Sequence, residues 1–133
     1  MEKFLQKLKK LNLPKGKYVI FGSGPMCVRG LRKCDDLDVI VTEDIYNDLK
    51  SRSDFKIGHR KESGNEFLEK DGIEIYQNWY PDDWHVKNLI QEAEIIDGFP
   101  FVKLEEVLKW KMIKRRDKDI EDIKLIKEYL DRK

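Results

Sequence analysis

Two acids, Asp36 and Asp38, flank Leu37 at the head of an apolar run. Upstream, a second apolar run breaks at Gly22-Ser23-Gly24-Pro25, and Arg29 and Arg32 lie between the two. Acids two apart on a strand share a face, because side-chain direction alternates with period two. Leu37, Val39 and Val41 then fill the opposite face. Neighbouring carboxylates on a buried strand lose hydration and repel each other, so they call for a cation, and a hard divalent ion, Mg²⁺ or Mn²⁺, suits their oxygens.

The Gly-Ser loop has three readings. A dinucleotide fingerprint fails because Cys27 holds its third glycine position, and a P-loop fails because no Gly-Lys-Ser/Thr follows. What remains is a strand–turn–helix junction whose backbone N–H groups cradle a phosphate, with the Ser23 hydroxyl beside them. Alone, a Gly-Ser-Gly sequence is an ordinary tight turn; the acids downstream favour the phosphate reading.

Periodicity supplies the elements that must position these residues. Phe4, Leu5, Leu8 and Leu11 predict a helix over 2–12, and Pro14-Lys15-Gly16 turns the chain into a strand over 17–21. A short helix starts at Pro25, a strand covers 37–42, and Thr42 caps a helix over 43–51. Strands follow at 55–60 and 65–70, and Asp71-Gly72 is a hairpin signal leading into a strand over 73–76. After the turn Pro81-Asp82-Asp83 a helix covers 84–93, with extended pieces around Gly98 and Pro100. Helices over 103–115 and 118–131 close the chain, the last burying Ile120, Ile123, Ile126 and Leu130 beside Leu125 and Tyr129. The pattern predicts one domain over 1–133, an α/β (α+β) mixed sheet flanked by helices.

Composition narrows the function classes. Of the 133 residues 40% are charged, yet the net charge is +1, which leaves no global footprint for nucleic acid or membrane. No apolar stretch approaches the ~18 residues that span a bilayer, and no signal-peptide core opens the chain. A soluble, cytoplasmic protein is expected. Cys27 and Cys34 form no metal-ligand pattern with His59 and His85; they read as reduced thiols, a disulfide requiring that the fold bring them together.

Gly22-Ser23, the gap, and Asp36-Leu37-Asp38 within an apolar strand resemble the DNA polymerase beta-type nucleotidyltransferase superfamily, in particular its small single-domain prokaryotic members. Arg29-Gly30 and Arg32 in the gap are similar to those members. The closing Arg116-Asp117-Lys118-Asp119-Ile120-Glu121-Asp122 resembles a recurrent C-terminal Arg-x-Lys-Asp-x-x-Asp signature. The resemblance spans roughly residues 17–130. It implies two Mg²⁺ or Mn²⁺ ions on Asp36, Asp38 and a third carboxylate, for which Glu74 in Gly72-Ile73-Glu74-Ile75 is the match. It further implies transfer of a nucleoside monophosphate from an NTP to an acceptor hydroxyl with release of pyrophosphate. The acceptor, whether small molecule, protein or RNA end, is not specified. Gly22, Ser23, Arg29, Arg32 and Lys118 are the implied phosphate ligands. Gly24 and Asp35 depart from the common pattern, which has Arg after Gly-Ser and Ser before the first acid.

Several residues carry two readings. Arg29 and Arg32, three apart on one helix face, clamp phosphates or pair with nearby acids. Lys118 reaches the site or pairs with Asp122, as Arg116 pairs with Asp119, on the surface. Lys109, Lys111, Lys114, Arg115 and Arg116 read first as a solvated helix face, then as an acceptor contact. Trp79, Tyr80 and Trp84 read first as packing, then as a stacking shelf. The rival to an enzyme is a nucleotidyltransferase-like antitoxin, a partner subunit with little or no turnover bound to a toxin. A homodimer is the other expected assembly.

Overall fold

The computed structural model describes residues 1–81 and 84–132. In chain order it contains α1 (Glu2–Lys10), β1 (Tyr18–Ile20), α2 (Gly24–Cys27), β2 (Leu37–Val41), α3 (Glu43–Lys50), β3 (Lys56–His59), β4 (Glu66–Lys70), β5 (Ile73–Tyr76), α4 (Val86–Gln91), β6 (Glu94–Ile96), β7 (Phe99–Phe101), α5 (Leu104–Lys114) and α6 (Asp117–Asp131). Seven strands join in one mixed sheet, ordered β3-β4-β5-β2-β1-β7-β6. The β2–β5 and β1–β7 pairs are parallel and the others antiparallel. Among the described residues no helix is long and apolar enough to cross a membrane.

Covered on both faces, the central strands are almost wholly apolar, as a doubly packed sheet requires. Leu37, Val39 and Val41 pack with Ile73 and Ile75 against Leu5, Leu8, Tyr46 and Leu49 of α1 and α3. Ile40 and Tyr76 face the other way, into a cluster with Phe21, Leu89, Val107 and Ile126. Period-two alternation therefore puts Asp38 and Glu74 on the face covered by the later helices. The hairpin at Asp71-Gly72 is as expected: both residues adopt the left-handed conformation, φ +53° and +84°, that a tight two-residue turn demands.

Four expectations need correction. Thr42 occupies the cap position of α3, but its hydroxyl bonds Asp44 Oδ1 at 2.5 Å instead of a backbone N–H. The helix after Pro25 is a single turn, so Arg29 and Arg32 lie beyond it and share no helix face. Cys27 and Cys34 are disulfide-bonded, their Cα atoms 6.0 Å apart, because the turn after α2 folds the chain back on itself. Finally, Ile120 is 64% exposed, while α6 buries Asp119, Asp122 and Ile126. Ion pairs with α5 set the rotation of the last helix, overriding its isoleucine stripe. The Asp82-Asp83 part of the expected turn lies outside the described residues.

Candidate active site

The acids assemble where β2 meets β5. Parallel pairing sets Asp38 directly beside Glu74. Asp36, one residue before β2, lies at the strand entrance, on the wall of the cleft, rather than within the strand. Burial first, then the charges of Asp36 and Glu74, hold the Asp38 carboxyl well above the usual carboxylate range. Asp36 is raised as well, by burial and then by Glu74, with Arg60 and Lys118 pulling it back. Like charges taken out of water favour protonation unless a cation joins them.

Arg60, just past β3, supplies part of that cation. Its guanidinium lies 2.9 Å from Glu74 Oε1 and 3.8 Å from Asp38 Oδ1. Its Nε donates to the Tyr76 hydroxyl at 2.6 Å, and that hydroxyl donates to Glu74 Oε1 at 2.7 Å. The Arg60 guanidinium also lies over the rings of Phe67 and Tyr76, which fixes its plane.

Gly22 gives these acids room. Its φ is +61°, and an added Cβ would collide with the Asp38 carboxylate. The glycine first read as allowing a phosphate to approach thus allows a carboxylate to approach. Gly22→Ala is expected to destabilise the fold by about 1–3 kcal/mol through left-handed strain, displacing Asp38 as well. Urea unfolding of the variant and the wild type is the measurement; equal midpoints would show that the backbone relaxes freely there.

A wall of cations faces the acids. Lys111, on α5, is only 1% exposed. Its ammonium lies 2.9 Å from Asp122 Oδ2 and 3.7 Å from Asp119 Oδ1, and donates to Ser23 Oγ at 3.2 Å. Arg32 donates to the same two partners, Asp122 Oδ2 at 2.6 Å and Ser23 Oγ at 3.4 Å. Ser23 Oγ therefore accepts from two cations, and its own proton remains to donate. Burial pushes the Lys111 ammonium down, opposed by Asp122 and Asp119. Arg116 closes the wall with a two-pronged grip on Asp119, 2.7 and 2.9 Å, plus a backbone N–H. Burial raises the Asp119 carboxyl, but these Arg116 hydrogen bonds carry it below its usual range.

Acids and cations border one cleft of about 260 Å³, with Lys118 at its rim and Trp79, Tyr80 and Trp110 along its side. Of the residues expected at the site, Ser23, Arg32, Asp36, Asp38 and Lys118 line this cleft, and Glu74 lies behind them, held by Arg60 and Tyr76. Arg29 does not join them: its guanidinium is bound to Glu94 Oε1 at 3.1 Å and to the Pro25 carbonyl at 2.8 Å. The basic cluster is a solvated face only in part: Lys109 and Arg115 are exposed, whereas Lys111 is buried and Lys114 pairs with Glu62 at 2.5 Å. Trp79 stacks on Phe21 with centroids 4.7 Å apart, the expected packing role.

Sequence reasoning missed Arg60 and gave Lys111 only as one member of a basic cluster. Lys111 carried a signal: with Leu104 and Val107 it completes an i, i+3, i+7 stripe, so it stands at a core position of α5. Arg60, expected at the end of the strand over 55–60, lies just past β3 and carried none.

Among the described residues no three His, Cys, Asp or Glu side chains converge as a ready-made metal cluster; the Arg60 guanidinium spans Asp38 and Glu74. The donor set nevertheless suits a hard cation. Asp38 Oδ1 is buried and has no hydrogen-bond partner among the described residues, and buried polar atoms are seldom left so. No family model, curated protein or solved structure matches the chain.

Proposed function

We propose that this protein is a metal-dependent nucleotidyltransferase of the DNA polymerase beta type, passing a nucleoside monophosphate from an NTP to an acceptor hydroxyl. The supporting observation is one cleft lined by Asp36, Asp38, Ser23, Arg32, Lys111 and Lys118, with Glu74 paired beside Asp38 on the neighbouring strand. Asp36, Asp38 and Glu74 would hold Mg²⁺ or Mn²⁺. When bound, the metal lowers the pKa of an acceptor hydroxyl and neutralises charge on the phosphate oxygens.

Side chains rather than a helix end hold the triphosphate, because α2 is a single turn. Lys111 is pre-placed by Asp122 and Asp119, so little side-chain entropy is lost when its ammonium meets a phosphate. Arg32 and Lys118 add charge at the rim and stabilise the departing pyrophosphate. Tyr76 fixes the Glu74 carboxylate, and Arg60 must yield the acids when the metal enters.

A second reading, the partner subunit with little turnover, draws on the same Arg60, whose guanidinium already stands between Asp38 and Glu74. Calorimetric titration with a non-hydrolysable NTP, with and without Mg²⁺, separates the two. Metal-linked nucleotide binding is expected of the enzyme. Absence of binding under both conditions would overturn it in favour of the partner subunit.

A further inference from the structure

Beside the cleft lies a second hollow of about 410 Å³, which shares Ser63, Asn65, Trp79 and Tyr80 with it and adds Asn78 and Trp84. We propose that this hollow seats the nucleobase of the nucleotide whose phosphates meet the cation wall, an inference that rests on the nucleotidyl-transfer reading.

The indole donors of the tryptophans around it separate sharply. Trp84 Nε1 donates to the Pro81 carbonyl at 2.6 Å, and Trp110 Nε1 donates to the Tyr80 carbonyl at 3.1 Å. Trp79 Nε1 is buried and has no partner among the described residues, although Trp79 is 7% exposed and borders both hollows. A buried N–H is rarely left unmatched, and this one belongs to the tryptophan that borders both hollows.

The rest of the lining fits a flat, uncharged heteroaromatic ring. Tyr80, 52% exposed, offers aromatic surface, on which any base stacks. Asn65 and Asn78 bring side-chain amides, which pair a donor with an acceptor as base edges require. The one carboxylate present, Glu66, is engaged by Tyr46 at 2.8 Å and Lys50 at 2.9 Å, so it leaves no free charge for a cationic ligand. Because the hollows share Ser63, Asn65, Trp79 and Tyr80 as walls, phosphates beside Lys111 and a ring beside Tyr80 are close enough to belong to one molecule.

The test is calorimetry of wild type, Trp79→Phe and Tyr80→Ala with two Mg²⁺-loaded probes, ATP and inorganic tripolyphosphate; GTP, CTP and UTP then rank the bases. Wild type is expected to bind ATP about tenfold or more tighter than tripolyphosphate, and each variant to lose about that factor for ATP only. Tyr80 is exposed, so its variant keeps the test valid should Trp79→Phe fold poorly. Equal affinity of wild type for both probes would overturn the nucleobase seat while leaving the phosphate wall standing. So would an equal loss of both probes in the variants, or no loss of either. Wild type that binds neither probe would overturn the nucleotidyl-transfer reading along with this one.

Discussion

Under the proposed function, Asp38→Asn is expected to lower nucleotidyl transfer by about 10³-fold or more and, in metal-free protein, to stabilise the fold. The loss follows from removing a proposed ligand, whose cation would supply several kcal/mol of transition-state charge stabilisation, at about 1.4 kcal/mol per factor of ten. The gain follows from the state of the carboxylate. Burial, then Asp36 and Glu74, raise its proton affinity in the folded protein. The folded state therefore binds protons more tightly than the unfolded chain, and stability falls as pH rises from the ordinary carboxylate range through the folded pKa. Asparagine is neutral throughout and removes that decline. Melting temperatures against pH in the presence of a chelator are the measurement, with Mg²⁺ restoring stability at neutral pH to the wild type only. A variant with the same pH slope and the same Mg²⁺ response as wild type would refute the metal assignment.

Lys111→Met carries the second large effect, a destabilisation of about 3–5 kcal/mol. Removing one partner of a buried ion pair strands the other charge, and Lys111 stands against both Asp119 and Asp122. Arg116 and Arg32 still reach those acids, which places the effect near the lower end. Adding Asp122→Asn should recover part of the loss, since fewer charges are then left without partners. A double-mutant cycle by urea denaturation gives the coupling directly. Additive effects would show that Lys111 and Asp122 do not act as a pair.

The strands and the acids were legible because a half-buried strand writes its face into the sequence with period two: Leu37, Val39 and Val41 against Asp38 and Ile40. Glu74 was legible for the same reason, between Ile73 and Ile75. The cation wall was not, because helical periodicity treats charge as the outer face. In α6 the stripe Asp119, Asp122, Ile126 competes with Ile120, Ile123, and only Lys111, Arg32 and Arg116 on other elements decide between them. The disulfide was hidden because only the folded turn after α2 brings its cysteines together, and pairing with distant Glu94 turned Arg29 away.

The Cys27–Cys34 bond closes a small ring that contains Arg32 and leads from Ser23 to Asp36. A covalent ring shortens the arc over which a side chain inside it can wander, so the reach of Arg32 is set by chemistry as well as by its ion pair. A dithiol reductant would take that arc apart by exchange, two thiols forming here as one disulfide forms there. The guanidinium would then hang on a hinge of open chain, its pairing with Asp122 opposed by restored backbone entropy. Thiol state thus becomes a dial on how firmly one corner of the cleft is held.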